Sequence, residues 1–292
     1  MTLRDAFDEI ARARKAHESL LPLLMEELPS SRLVPPPDAS SWLSVSRIPS
    51  MCPRALVLAN RLELQLSDDI DTKGRWMMDR GTAMHTVFQG LWLGPMGWIK
   101  GGWTCPKCAH LHGGVGQDRW SVRLENAVTL PEHCERCGAA WRRQEPFTFV
   151  EPYSAHPEPL KVRGRNDGFL CLPGCGIEVM DLKFTTRLDL VREKPNPEHV
   201  EQVQWYMDME ALRSGRIVYV DPGSKLLENA VVEHRVSFSA ELMHKQKEKV
   251  RVVREALQES SRSVPACPYG GKGTYGECNC VQMEVLWGRT GH

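Results

Sequence analysis

The chain has 292 residues, 41% of them hydrophobic and 25% charged, which is enough apolar content for one principal domain with an insertion. Lys plus Arg and Asp plus Glu number 37 each, so a zero net charge excludes a globally basic nucleic-acid protein but not a locally basic groove. No run of about 18 apolar residues could span a membrane, and residues 1–28 lack the apolar stretch of a secretory signal. The expected setting is the cytoplasm of a bacterium or of a phage host, where ten clustered cysteines suggest metal sites rather than disulfides.

Residues 4–28 are expected to form an amphipathic helix closed by Pro29, followed by the linker Val34-Pro35-Pro36-Pro37. One helix follows Cys52 through about Leu66. A second runs from about Lys73 to Leu93 and carries Arg80-Gly81-Thr82-Ala83-Met84-His85. Gly81 and His85 lie one turn apart on it, and a glycine there allows close backbone approach. The turn Gly94–Gly102 leads into an insertion ending near Arg143. Phe147–Tyr153, Lys161–Leu170 and Ile177–Phe184 read as core strands, followed by a helix over His199–Arg213. Strands at Arg216–Val220 and Val231–Phe238 and a helix from about Ala240 to Ser261 precede a cysteine-rich tail. This pattern predicts an α/β fold with a central mixed sheet flanked by helices.

Side chains two apart on a strand share a face, so Asp181 and Lys183 point into one site. Asp167 enters from the preceding strand, across the hairpin turn Leu172-Pro173-Gly174-Cys175-Gly176. Two carboxylates can hold a hard divalent cation, and a lysine beside them can orient an attacking hydroxide. Glu178 has the opposite parity from Asp181 and is left out. Each residue also has a plainer role open to it. His85 can be a packed core histidine, Asp167 a turn aspartate before Gly168, and Lys183 a strand-end lysine with its head in water. Gln202 and Tyr206, one turn apart, fit an ordinary helix surface as well.

Taken in order, Arg80-Gly81…His85, Gly164-Arg165-Asn166-Asp167, Asp181-Leu182-Lys183 and Gln202…Tyr206 resemble the PD-(D/E)XK nuclease superfamily. They resemble its RecB-like branch in particular, which includes the nuclease domains of RecB and AddB and the CRISPR-associated RecB-like exonucleases. The resemblance spans roughly residues 45 to 240. It implies a restriction-endonuclease-like core and a metal-dependent DNA exonuclease acting on single strands or DNA ends. By the same resemblance, His85, Asp167, Asp181 and the carbonyl of Leu182 bind Mg²⁺ or Mn²⁺. Lys183 assists the attacking water, and Gln202 and Tyr206 position Lys183 or touch DNA. A site-limited trimming nuclease of a recombination or spacer-acquisition complex fits the same residues, and a catalytically silent DNA-binding scaffold is the non-enzymatic alternative. Gly270-Gly271-Lys272-Gly273-Thr274 lacks the spacing of a phosphate loop, so any unwinding falls to a helicase, recombination or integrase partner.

The cysteines fall into two sets. Cys105-x-x-Cys108 and Cys134-x-x-Cys137 form two knuckles that predict a closed, structural zinc ribbon, with His110, His112 and His133 near enough to substitute. Cys52 before the nuclease motifs, with Cys267, Cys278 and Cys280 after them, matches the layout by which the resembling proteins hold a 4Fe–4S cluster. The Cys278-x-Cys280 spacing departs from theirs, and zinc remains a rival there. Cys171 and Cys175 are expected to be passive thiols. The expected organisation is an N-terminal helix and linker over 1–40, a nuclease core over 41–101 and 144–264, a zinc ribbon over 102–143, and an iron–sulfur tail over 265–292. Local basic groups include Arg163 and Arg165 beside the site, Arg142-Arg143, and a helix with Lys245, Lys247, Lys249, Arg251 and Arg254. Some of Trp92, Trp98, Trp103, Trp120 and Trp141 could stack on bases, while more are expected to pack the ribbon.

Overall fold

The computed structural model describes residues 42–61, 72–116, 119–258, 264–268, 272–273, 276–277 and 280. The helix expected over 4–28, the proline-rich linker and Cys278 lie outside them. The chain divides into two units, Met1–Pro35 with Gln65–Arg80, and Pro36–Leu64 with Gly81–His292. In the first unit the described residues, 72–80, are helical. The second holds the sheets and the cysteine sites. No helix among the described residues is long and apolar enough to cross a membrane.

The strands before the cysteine-rich tail are β1 (Leu43–Ser44), β2 (Ile99–Lys100), β3 (Gly102–Thr104), β4 (Leu111–His112), β5 (Thr148–Val150), β6 (Tyr153–His156), β7 (Val162–Arg165), β8 (Phe169–Leu170), β9 (Glu178–Phe184), β10 (Ser214–Val220) and β11 (Val231–Ser237). A five-stranded mixed sheet runs β11-β10-β9-β8-β2. Its β9 and β10 are parallel, with Asp181 opposite Ile217 and Lys183 opposite Tyr219. Parallel neighbours need a crossover, and the helix Pro197–Met209 supplies it. That helix starts where it does for local reasons. The Asn196 side chain accepts from the Glu198 N–H, and Pro197 takes the first position, where its missing N–H costs nothing.

The period of two along β9 and β10 sorts the core. Val179, Ile217 and Tyr219 pack with Val203, Trp205 and Tyr206 on one side of the sheet. Met180, Leu182, Val218 and Val220 pack with Phe88, Trp103 and Phe147 on the other. Each such side chain contributes about 1.5–3 kcal/mol when buried, so a one-residue slip, which would turn all of them over, is strongly disfavoured. Asp181 and Lys183 share the parity of Val179 and so belong to the side covered by Pro197–Met209.

The mixed α/β architecture is as expected, with differences that matter for the site. The expected strand Phe147–Tyr153 is two strands: β5 pairs with β3, and β6 with β7. Pro152 at the break has no N–H for a ladder, which lets the chain change sheets there. The expected strand Lys161–Leu170 is likewise divided. β7 joins β1 and β6 in a three-stranded sheet, while β8 joins the central one. Between them Gly168 sits at φ 128°, and its N–H donates to the Asn166 side chain at 3.0 Å. That side-chain turn and the glycine make the corner. The helix expected to reach Leu93 is α-helical only over Thr72–His85 and continues as a π-helix over Thr86–Leu93. Its closing bond runs five residues, from the Gly94 N–H to Gln89 O at 2.9 Å. The helices expected over His199–Arg213 and to Ser261 are observed over Pro197–Met209 and Ala240–Gln258, and the one after Cys52 over Pro53–Arg61.

Candidate active site

Asp167 lies at the corner between β7 and β8, held by three groups from two elements. Its backbone N–H donates to Met180 O at 3.2 Å, and its carbonyl accepts from Gln89 Nε2 at 2.9 Å. Its Oδ2 accepts from the Leu182 N–H at 2.6 Å. The Leu182 backbone thus meets the Asp167 carboxylate through its N–H. The π-helical turn carries both Gln89 and, at its start, His85, whose Nδ1 lies 3.5 Å from Asp167 Oδ1 and 3.7 Å from Glu151 Oε1. Ligand atoms of His85, Glu151 and Asp167 all fall within 4.8 Å of one another.

Asp181 and Lys183 adjoin this cluster on β9. Lys183 Nζ donates to Asp181 Oδ1 at 2.9 Å and to Gln202 Oε1 at 3.3 Å. Gln202 Nε2 stands 3.4 Å from the Tyr206 hydroxyl, which donates to Arg165 O at 2.6 Å. Gly164 makes room for this last contact, because a Cβ there would stand 2.9 Å from the Tyr206 ring and hydroxyl. Gln202 and Tyr206 thus form a chain from Lys183 to the strand that leads into Asp167. Of the buried side-chain polar atoms that lack a hydrogen-bond partner among the described residues, two lie in this site: His85 Nδ1 and Asp181 Oδ2. Such orphans are rare in folded proteins and mark places where another group belongs.

The electrostatics fit a cation. Burial pushes the Asp167 carboxyl well above its ordinary range, and the negative charge of Asp181 pushes it further. Burial also raises Glu151, against the opposing charge of Arg165. Burial works against the Lys183 ammonium, but Asp181 and Asp167 outweigh it and hold its pKa up. Burial and the Lys183 charge bring His85 down to about 4, so its ring is neutral near pH 7 and offers a lone pair. Crowded carboxylates, a neutral imidazole and two unsatisfied acceptors are a donor set suited to a hard divalent cation. Glu178, on the other parity, is engaged elsewhere, 2.9 Å from Arg216 Nε and 2.6 Å from Arg235 Nε.

Two residues of this region were not among those singled out from the sequence. Glu151 sits beside Pro152 at the strand break, and a carboxylate next to a proline that interrupts a strand was its only signal. His199 places Nδ1 2.9 Å from the Tyr219 hydroxyl, and burial and the Lys183 charge bring it down to about 4. Nothing in its spacing distinguished it.

The four knuckle thiols converge as the ribbon reading requires. Sγ atoms are 3.7 Å apart for Cys105 and Cys137 and 3.5 Å apart for Cys108 and Cys134, and all four lie within 4.8 Å. A tetrahedral ion with bonds of about 2.3 Å holds sulfurs about 3.8 Å apart, whereas a disulfide needs about 2.05 Å. Left-handed residues, Ala109 at φ 55° and Gly138 at φ 69°, close the two knuckles. Burial pushes the Cys105 thiol up, but the N–H groups of Cys108 and Lys107 outweigh it and bring it to about 7. His110 and His112 cluster with Glu135 instead of replacing a thiolate, and His133 is bridged through its backbone to Ala140. The ribbon's β3 pairs with β5 as well as β4, so its sheet reaches past the expected boundary at Arg143.

Cys52, Cys267 and Cys280 form a second thiol cluster within 4.8 Å, beside the Arg54 Nη1 bond to Pro265 O at 3.1 Å. Cys278, the fourth expected ligand, lies outside the described residues. Among the described residues, Cys171 and Cys175 belong to neither cluster.

No family model and no curated protein matches the chain. Among solved structures, it is similar to an alkaline exonuclease (LHK-Exo) from Laribacter hongkongensis. That match has 14% identity and a TM-score of 0.44, and it covers 86% of this chain and 93% of that one. LHK-Exo in complex with dAMP is similar at 13% identity and a TM-score of 0.42, covering 87% and 95%. SSO0001 is similar at 16% identity and a TM-score of 0.38, covering 85% and 89%.

Proposed function

We propose that the protein is a Mg²⁺- or Mn²⁺-dependent DNA exonuclease of the PD-(D/E)XK type, RecB-like branch, hydrolysing phosphodiester bonds at ends or in single strands. The observation that carries this reading is the half-buried cluster of His85, Glu151 and Asp167 beside Asp181 and Lys183, with the buried atoms His85 Nδ1 and Asp181 Oδ2 left unsatisfied. His85, Glu151, Asp167 and Asp181 would hold the ion, with the Leu182 carbonyl added by the resemblance alone. When bound, such an ion neutralises charge on the phosphate and favours ionisation of an attacking water. Lys183, kept protonated by Asp181, donates hydrogen bonds to the water or phosphate and does not take a proton. Gln202 aims it, and Tyr206 fixes Gln202 against β7. Asp167 is itself aimed by Gln89 and the Leu182 N–H, so the carboxylate is oriented before substrate arrives.

The thiol clusters fill structural roles in this proposal. Zinc on Cys105, Cys108, Cys134 and Cys137 would fold the ribbon. A 4Fe–4S cluster on Cys52, Cys267, Cys278 and Cys280 would fasten the tail to the helix Pro53–Arg61. The deciding experiment uses end-labelled linear and circular single-stranded DNA, with Mn²⁺ and with EDTA. Loss of the linear form alone, only with Mn²⁺, is the expected result, and products from 5′- and 3′-labelled strands give the polarity. Cleavage of circles would replace the exonuclease reading with an endonucleolytic one. No cleavage of any substrate by metal-loaded protein would leave the silent scaffold.

A further inference from the structure

Strand β7 carries two arginines that the catalytic reading does not use. Arg163 and Arg165 are two apart and share one face, while Gly164 between them faces Tyr206. Each guanidinium meets an indole. Arg163 Cζ lies 5.6 Å from the Trp42 ring centroid, and Arg165 Cζ lies 4.2 Å from that of Trp120. Trp120 in turn meets Tyr153 edge-on at 5.3 Å, and Arg123 Cζ lies 5.3 Å from the Tyr153 ring. Tyr153 is the register partner of Arg165 on β6, so the group is mounted on paired backbone. It is not sealed into a core. Trp120 keeps 40% of its surface exposed, and Arg165 is exposed too.

The position of this group gives it meaning. Two residues beyond Arg165 the same strand delivers Asp167, and the Arg165 charge acts on Glu151 across the site. Guanidiniums beside aromatic rings present positive charge to phosphate oxygens, and an exposed indole offers a face to a nucleobase. Bases in a duplex are already stacked on one another, so a platform of this kind takes unpaired nucleotides.

We infer that the Arg163–Arg165 face of β7, with Trp42, Trp120 and Tyr153, is a binding track for single-stranded DNA that leads an unpaired strand to Asp167. The phosphates lie on the arginines and a base stacks on Trp120. The inference rests on the nuclease reading for its direction, but binding tests it separately.

The 292-residue chain is titrated, in EDTA, against a fluorescein-labelled oligothymidylate, an abasic strand of the same length and a duplex. Trp120→Ala is expected to weaken oligothymidylate binding about 5- to 150-fold, the range for loss of one stacked base, and to leave abasic binding unchanged. Trp120→Phe should recover most of the loss, and duplex should bind more weakly than the single strand. Equal losses on both strands, no loss, or preferred duplex binding would each overturn the track. Cleavage by wild type with Mn²⁺ is read on the same oligonucleotide. Cleavage without a base-specific Trp120 effect removes the track and leaves the nuclease. A base-specific effect without cleavage keeps the track and removes the nuclease.

Discussion

Two acids three residues apart on β9 should behave in opposite ways. Glu178 is 1% exposed and faces Arg216, itself held by the more exposed Glu233 at 2.9 Å, and Arg235, whose side chain is 60% exposed. Breaking a buried pair costs about 3–5 kcal/mol because a charge is left without its partner. Here Arg216 keeps Glu233, and the exposed Arg235 adds little, since ion pairs in water are weak. Glu178→Gln should therefore destabilise by about 2–3 kcal/mol, less than a fully buried pair would cost. Turnover per folded molecule should be unchanged, because the Glu178 carboxylate is engaged by Arg216 and Arg235 and by no residue of the site. Asp181→Asn should do the reverse. It leaves Lys183 short of one partner but relieves the repulsion that Asp181 exerts on the Asp167 carboxyl, so stability should change by roughly 1 kcal/mol or less. Cleavage and Mn²⁺ affinity should be lost. Urea unfolding followed by circular dichroism gives the stabilities, and cleavage of end-labelled DNA, normalised to the folded fraction, gives the activities. An inactive but folded Glu178→Gln protein, or an active Asp181→Asn protein, would refute the parity argument on which the site rests.

Lys183→Ala should abolish cleavage while Mn²⁺ still raises the melting temperature, because the carboxylates remain; wild-type turnover in the purified variant would remove Lys183 from the mechanism. His85→Ala should weaken both Mn²⁺ binding and activity, and an unchanged Mn²⁺ titration would return His85 to a packing role. Anaerobically purified protein should be brown, with about four irons and one zinc per chain by elemental analysis. Cys280→Ala should bleach it without releasing zinc, and Cys134→Ala should release zinc without bleaching, whereas two zincs and no iron would defeat the iron–sulfur assignment. Asp167 and Glu151 have raised folded pKa values, so their contribution to stability is present below the unfolded carboxylate range and lost as pH rises through the raised values. Metal-free wild type should accordingly lose melting temperature relative to Asp167→Asn as pH rises through that window, and saturating Mn²⁺ should reverse the order; a pH-independent difference would contradict the crowded-carboxylate account.

Much of this site was legible as spacing. The period of two puts Asp181 and Lys183 on one face of β9 and Glu178 on the other, because alternation is a property of the extended backbone and needs no neighbour. The spacing of the two cysteine knuckles worked in the same way, since each short loop must bring its own two sulfurs together. What spacing could not supply were the places where the chain changes partners. Pro152 and the Asn166–Gly168 corner look like ordinary punctuation in the sequence. Only in the folded chain do they send each half of a continuous apolar run to a different sheet and bring Glu151 beside Asp167. The π-helical turn after His85 was hidden for a related reason. Its residues suit an α-helix locally, and the five-residue bond forms where packing sets Gln89 against Asp167. The Arg–Trp pairs on β7 join positions 42 and 163, and 120 and 165, which no local period relates. The sequence determined which faces carry chemistry, and the tertiary structure decided which faces meet, because strand pairing is chosen by contacts between residues far apart in the chain.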